Sequence, residues 1–498
     1  MNKKNKLLFT SLSALANQIV AICCGFILPQ LILKSFGSNA NGLLQSISQF
    51  LSIISFMELG IGAIIQSALY KPLAENDNEQ ISIVVSAGDV FFKKISLLLI
   101  VYSFFLIVFF PWLVKSDFSW WYSATLVFCL GMSSFAQYFL GMMDNILLMS
   151  NQKGYVIYIS QILSLSLNAL FSVLLIKMNY SIQIVTLASS AVFLLRPVFV
   201  RVYVKRHYSI NRRCQNTKGA LKQKWDGIMQ HIAYIVLERT DIVVLTLFST
   251  LSNVSIYSIY HLVVYGVKNI FMTISHGFLA VLGEIWAKND KKKMDEFFSF
   301  VEYFMHSFVV LLFSCAAILI LPFISIYLNG VSDANYIQPL FSFLIILAHA
   351  LHCIRTPYHQ IIKAAGDYKR TKSCFIYSAF INLVISVFFV KIWGLVGVAI
   401  GTLVAMFFQT VWMVIYVSKH LIHWPMKKTI KAFFIDSIAV ALIFNISNYC
   451  DIDVLSYLDW TLVAGKTFLI AVLIILVLSL IFYKKEFTYF CRHIRKNG

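Results

Sequence analysis

Long apolar runs follow one another along the whole of this chain, and they leave it little choice of fold. Fourteen can cross a hydrocarbon core of about 30 Å, a distance that takes about 20 helical residues. They are 10–34, 41–70, 91–114, 119–149, 155–176, 181–203, 230–250, 254–285, 300–328, 335–363, 371–390, 395–417, 430–449 and 460–483. None alternates polar and apolar residues as a barrel strand does, so the spans are expected to be helices. Composition agrees, with 59% hydrophobic and 13% charged residues and a mean hydropathy of +0.78. Soluble domains carry about 25% charged residues. The sequence therefore predicts an all-α integral membrane protein with fourteen transmembrane helices.

The net charge of +19 follows topology rather than a nucleic-acid surface. With the N-terminus placed in the cytoplasm, every second loop is basic: Lys93 and Lys94, the stretch Arg201 to Lys224, Lys288 to Lys293, Lys369 to Lys372, Lys419 to Lys428, and the tail from Lys484 to Lys496. The opposite side holds Lys34, Lys115, Lys177, Lys391 and Lys466. That asymmetry is the positive-inside pattern, and it places both termini in the cytoplasm. No nucleic-acid partner is expected. The nine cysteines are mostly inside the runs and read as small apolar packing residues. The opening KKNK and its apolar run read as a retained first helix rather than a cleaved signal.

The chain also repeats itself. NALFSVLLIK, Asn168 to Lys177, returns 214 positions later as NLVISVFFVK, Asn382 to Lys391. Ala74, Asn76 and Asp77 match Ala287, Asn289 and Asp290 at 213, Lys205 matches Lys419 at 214, and Pro111 matches Pro322 at 211. This spacing suggests two six-helix lobes, 1–214 and 215–428, followed by two additional helices and a basic tail, 429–498. Six is even, so both lobes enter the membrane in the same sense, as parallel repeats do. The polar stretch 205–228 reads as the cytoplasmic tether between them.

Ionisable side chains at mid-span cost roughly 2.5–3.5 kcal/mol on insertion scales, so they are functional candidates. Glu58, Glu238, Arg239, Asp241 and Lys268 fall there, and Arg355 lies nearer the cytoplasmic end of its span. Tyr257, His261, Tyr265 and Lys268 share a helical face, as do His231, Tyr234, Glu238 and Asp241. Such faces must meet protein or a water-filled cavity. Two readings remain open: the acids pair with Arg239 and Lys268 to lock helices, or the cations receive an anionic ligand. Arg239 cannot face its neighbour Glu238, because adjacent helical residues point about 100° apart. Trp112, Trp120, Trp121 and Trp424 read as interfacial belt. The acidic residues of 284–302 read as solvated surface, and Pro29, Pro111, Pro322 and Pro357 as candidate kinks. No phosphate loop, nucleophile elbow or metal-spaced cluster is present, so no catalytic residue, metal or cofactor is expected.

Two stretches carry a family resemblance. The run from Ile27 through ELGIGAIIQSAL, Glu58 to Leu69, and the run ERTDIVVLTLFSTLSNVSIYSIYHLVV, Glu238 to Val264, resemble Wzx-type polysaccharide flippases of the multidrug/oligosaccharidyl-lipid/polysaccharide exporter superfamily. The resemblance implies two lobes around a central cavity in the bacterial inner membrane. It implies translocation of an undecaprenyl-pyrophosphate-linked oligosaccharide to the outer leaflet, for O-antigen, lipopolysaccharide or capsule synthesis. A polysaccharide polymerase and a chain-length regulator would then be partners. Cavity residues would be Arg239, Lys268 and Arg355 with Tyr257, His261 and Tyr265. Glu58, Glu238 and Asp241 are candidates for coupling to a proton or sodium gradient, with membrane potential as the other driving force. The alternatives are a cation-coupled small-molecule exporter of the same superfamily and a membrane polysaccharide polymerase. The missing large outer loop counts against the polymerase.

Overall fold

No water satisfies the backbone inside a bilayer, so apolar runs close their hydrogen bonds within helices. The computed structural model describes residues 3–54, 61–114, 118–212, 214, 225–448 and 455–489, and among these there is no strand. The first helices are α1 (Lys3–Ser52), α2 (Ile61–Glu75), α3 (Asn78–Leu113), α4 (Trp120–Ala136), α5 (Met142–Ser150), α6 (Gly154–Lys177) and α7 (Ile182–His207). Next come α8 (Trp225–Phe248), α9 (Leu251–Ala287), α10 (Lys291–Tyr327), α11 (Pro339–Ile354) and α12 (Thr356–Ala365). The chain ends in α13 (Tyr368–Trp393), α14 (Leu395–His420), α15 (Met426–Asn448) and α16 (Tyr457–Phe482). Among the described residues, twelve helical stretches are long and apolar enough to cross a membrane. The chain is a multi-pass membrane protein.

Two features separate twelve from the fourteen spans expected. The run 41–70 is divided: its first part continues α1 beyond a kink at Gly37, where φ is 83°, and its last part is the short α2. Residues 55–60, with the candidate Glu58, lie outside the described residues. The other feature is α8, which places Glu238, Arg239 and Asp241 within four positions and is too charged to count on composition alone.

Lipid inverts the usual burial pattern, because small polar residues let helices approach while large apolar ones face the acyl chains. On α6, Ser160, Ser164, Asn168 and Ser172 are buried at four-residue spacing, whereas Leu163, Leu167, Leu170 and Leu174 are exposed. On α13, Ser378, Asn382 and Ser386 are buried at the same spacing, with Phe380 and Phe388 exposed. The Asn and Ser shared by the two decapeptides are thus the packing positions. The other repeated motif is a turn. Asn76 and Asn289 adopt positive φ, 54° and 52°. Asp77 and Asp290 then cap α3 and α10, accepting backbone N–H groups of the first turn. Trp112 and Trp121 are 75% and 73% exposed, as belt residues are.

By contact the chain divides into two units: Met1–Ile235 with Ser249–Ser255, and Val236–Phe248 with Ile256–Gly498. In the first, a four-residue charge network links α3, α5 and α7. Asp144 on α5, fully buried, and Asp89 on α3 face Arg201 of α7 at 3.1 and 3.7 Å. Arg212, just past α7, pairs with Asp89 at 2.8 Å and also with Asp144. The backbone there is held as well: the Asn211 N–H donates to Ser82 Oγ and Ser86 Oγ donates to Asn211 O, both at 3.1 Å. The start of the presumed tether is therefore latched to α3 and α5. No local sequence pattern marks these acids.

In the second unit α15 and α16 pack on α10 through Val310, Ile435, Ala439, Ile443, Ala471 and Leu478. Two expectations are corrected here. Glu302 is not solvated surface but 5% exposed, on the inward face of α10. Its carboxylate accepts Trp424 Nε1–H at 3.1 Å, Thr429 Oγ1–H at 2.9 Å and the Tyr358 hydroxyl. Trp424 accordingly is no belt residue. It is 2% exposed because its indole N–H satisfies that buried acid. The lysines near Glu302 in sequence concealed its burial: α10 begins at Lys291, nine residues earlier than expected, and turns Glu302 inward.

Candidate functional site

Glu238, Asp241 and Lys268, mid-span charges of the second unit, each meet buried partners from neighbouring helices. The α9 stripe predicted from spacing is real. Tyr257, His261 and Tyr265 stack in succession, with ring centroids 5.7 and 5.4 Å apart. Lys268 Nζ lies 5.4 Å from the Tyr265 ring. Tyr257 and Lys268, the two ends of the stripe, are each 3% exposed, and Tyr265 between them is 42% exposed.

Glu238 on α8 and Lys268 on α9 meet directly. The Lys268 ammonium donates to both carboxylate oxygens, at 2.8 and 2.7 Å. Its side chain is 3% exposed and that of Glu238 is 13% exposed. In so dry a setting neither charge would persist alone, and the pair lowers the cost of both. His352 on α11 adds its Nδ1 at 3.4 Å from Glu238. His349, one turn earlier, lies edge-on to His261 with centroids 5.9 Å apart. The carboxylate thus has a lysine on one side and a histidine on the other.

Asp241, one turn along α8, is 4% exposed and ties four helices. It accepts the Tyr257 hydroxyl of α9 at 2.9 Å, the Thr402 hydroxyl of α14 at 2.7 Å and the Asn382 amide of α13 at 3.4 Å. Asn382 also donates to Thr402 at 3.1 Å. Leu237, Ala348, Leu351, Ala379, Ala405 and Met406, from the same helices and α11, form one apolar core cluster. Removing one donor from a buried acceptor costs about 1–3 kcal/mol. Thr402→Val, which keeps the shape, is therefore expected to lower unfolding stability by that amount in a thermal melt, while Thr240→Val, outside the network, has a smaller effect.

The remaining candidates are placed as follows. Arg239 is on the exposed side of α8, away from Glu238, as helical geometry requires. Arg355 stands at the break between α11 and α12 and is 2% exposed. Its guanidinium approaches His352 Nδ1 at 3.0 Å and Met413 sulfur at 3.8 Å. Glu238, Lys268, Asp241, Tyr257 and His261 are brought together, with Arg355 joined to them through His352, while Arg239 lies on the exposed side of α8. His349, His352, Asn382 and Thr402 were not anticipated. The triplet His349, His352, Arg355 at spacing 3 and 3 was a visible signal, and so was an asparagine repeated within an apolar run. Among the described residues, no group of three or more His, Cys, Asp or Glu could hold a metal ion.

No protein-family model matches the chain, and no curated protein matches it. Solved structures do. One of lipid II flippase MurJ in an inward closed conformation superposes with a TM-score of 0.71 at 16% identity, covering 96% of this chain and 99% of that one. The MATE multidrug transporter DinF-BH gives 0.60 at 14% identity, covering 85% and 98%. An inward-facing MATE family transporter of the MOP superfamily gives 0.57 at 12% identity, covering 81% and 94%. The chain shares the fold of these structures.

Proposed function

We propose that this protein is a flippase that moves an undecaprenyl-pyrophosphate-linked oligosaccharide from the cytoplasmic to the outer leaflet of the bacterial inner membrane, for surface polysaccharide synthesis. One observation carries the reading. The likeness to the lipid II flippase leaves only 4% of this chain uncovered, about 20 residues, fewer than the 23 and 26 residues of α15 and α16 together, so it reaches into that pair. The exporter structures leave 15% and 19% uncovered. The added pair of helices therefore accompanies a lipid-linked substrate better than a small soluble one.

The proposal keeps fourteen crossings, both termini cytoplasmic, and two parallel lobes, 1–214 and 215–428, followed by 429–498. Recurrence of element boundaries supports the duplication: α6 and α13 begin 214 residues apart, α3 and α10 213 apart, and α7 and α14 213 apart. Asn41 Nδ2 also donates to Ser255 Oγ at 2.7 Å, a bond between positions 214 apart. Equivalent residues meet in this way near a symmetry axis.

In this proposal the pyrophosphate is received first by Arg239, whose planar fork suits phosphate oxygens. Lys268 is held by Glu238 and joins only when Glu238 releases it. Arg355 sits behind that histidine. Glu58, Glu238 and Asp241 remain the proposed sites for ion coupling. Outward movement of an anionic head group is favoured by an inside-negative potential, about 2.3 kcal/mol per charge per 100 mV. Complementation tests the reading. In a strain lacking its own repeat-unit flippase, the wild-type chain should restore surface polysaccharide, and Arg239→Ala at equal membrane abundance should restore much less. The second reading, a cation-coupled exporter, is favoured by the exporter likenesses and by the buried acid Asp241. It predicts no complementation and a rise in drug tolerance instead.

A further inference from the structure

We propose that the joint between α10, α15 and the end of α16 holds a site for one water molecule and one exchangeable proton, built on His306 and Asp436. This site lies apart from the network around Glu238 and has no part in the function proposed above. His306 Nδ1 and Asp436 Oδ2 are 2.6 Å apart, with side chains 2% and 14% exposed. The other ring nitrogen, Nε2, is buried without a hydrogen-bond partner, and so is the hydroxyl of Tyr483. Both residues line the same small cavity, with Tyr303, Ser307, Asp436 and Ser479. That cavity offers about 20 Å³ to the centre of a water-sized sphere. A single buried water needs about 10–15 Å³ by that measure, with two to four polar partners.

The two unsatisfied atoms say what the cavity wants. Buried polar atoms are seldom left unpaired in native proteins. Here an imidazole nitrogen and a phenol oxygen share a water-sized space, and one water can bond both. The rest of the wall is apolar: Val310, Ile435, Ala439, Ile475 and Leu478. The Phe433 ring stands edge-on to His306, with centroids 5.5 Å apart. Tyr303 donates its hydroxyl to Ser479 at 2.9 Å and so seats α10 against α16.

Chemistry then follows from the dyad. While Nδ1–H donates to Asp436 and Nε2 is bare, the pair carries one negative charge. One proton from the aqueous phase, relayed by the water, adds to the Nε2 lone pair, and no other bond changes. The product is a neutral ion pair, which a dry helix joint tolerates better than a net charge. The charged and titratable groups around it are Glu302 and Tyr303 on α10, Lys431 on α15, and Tyr483 and Glu486 beyond α16. Glu302 is held by Trp424, Thr429 and Tyr358. Lys431 Nζ lies 5.6 Å from the Tyr483 ring, and Glu486 accepts the Ser299 hydroxyl at 2.8 Å. Glu302, Tyr303, Lys431 and Glu486 have partners of their own; the Tyr483 hydroxyl and His306 Nε2 have none, and of these two the imidazole lone pair is the proton acceptor.

The test is direct and does not use transport. The full-length protein, labelled with nitrogen-15 in its histidine rings and held in lipid nanodiscs, is followed by NMR from about pH 4.5 to about pH 9. The His306 signal, identified by its loss in His306→Gln, should pass between neutral and cationic imidazole with one-proton steepness. Asp436→Asn should move the midpoint by about one unit or more, roughly tenfold in proton affinity. Tyr483→Phe should alter the Nε2 shift while the fold is kept. If His306→Gln does not fold, the one ring signal perturbed by both Asp436→Asn and Tyr483→Phe serves as the assignment. A His306 ring that stays in one protonation form throughout would overturn the proposal. So would an Asp436→Asn midpoint equal to that of the wild type.

Discussion

Replacing Lys268 with methionine is expected to destabilise the protein by about 3–5 kcal/mol, because it leaves the Glu238 carboxylate buried without its cation. Methionine fills much of the lysine's volume, so lost packing is a small part of the effect. The pair is nearly dry, with Lys268 3% and Glu238 13% exposed, and both ammonium–carboxylate contacts are under 3 Å. His352 Nδ1, at 3.4 Å, accepts the Arg355 guanidinium at 3.0 Å, so it offers the stranded carboxylate little. The control is the double variant Glu238→Gln with Lys268→Met. It removes both charges, and buried pairs replaced together by neutral groups are often close to neutral in stability. Thermal unfolding of the purified proteins in one detergent should therefore show a large loss for the single variant and a recovery of most of it in the double. A single variant within about 0.5 kcal/mol of wild type would mean that the pair does not hold in the membrane.

Gly42→Ala should be comparably severe for a different reason. A Cβ at position 42 would sit 1.9 Å from the carbonyl oxygen of Leu251, 2.7 Å from its carbon and 3.1 Å from its Cα. These are backbone atoms, which cannot rotate aside. The crossing of α1 with the start of α9 is also pinned on both flanks, by Asn41 to Ser255 at 2.7 Å and Ser252 to Asn39 at 2.7 Å. Helices must therefore separate, breaking both bonds, at a cost of about 3 kcal/mol or more. Gly465→Ala, where an added Cβ meets nothing within 4 Å, is the matched control and should leave the melting temperature unchanged or raise it. Equal behaviour of the two alanine variants would contradict the close crossing.

Much of this architecture was legible because lipid imposes a simple rule on sequence. Apolar runs of sufficient length must be helices, and charge within them must be turned inward. That rule picked out Glu238, Asp241 and Lys268, and helical spacing placed Tyr257, His261 and Tyr265 on one stripe. Spacing along one helix names a face but not what meets that face. Thr402 and Asn382 reach Asp241 across 161 and 141 residues, and no local pattern encodes such a meeting. Glu302 and Trp424 were misread for a related reason. Each was judged by its neighbours, lysines in one case and a span end in the other, while the decisive partner lay 122 residues away. Asp89 and Asp144 escaped notice because their arginines come from α7 and from the polar stretch beyond it, where basic residues were already explained by topology.

The central claim is that the chain moves a lipid-linked sugar across a bilayer. It is tested most directly by placing purified full-length protein in sealed vesicles that carry an undecaprenyl-pyrophosphate-linked oligosaccharide. Exposure of the sugar to a membrane-impermeant modifying reagent is then followed with time. In protein-free vesicles only the sugars of the outer leaflet should react, about half. With the protein present, the inner-leaflet pool should become reactive as well, and Arg239→Ala should slow that second phase. Labelling that stops at the outer leaflet in vesicles shown to contain folded protein, both with and without an imposed membrane potential, would contradict the account.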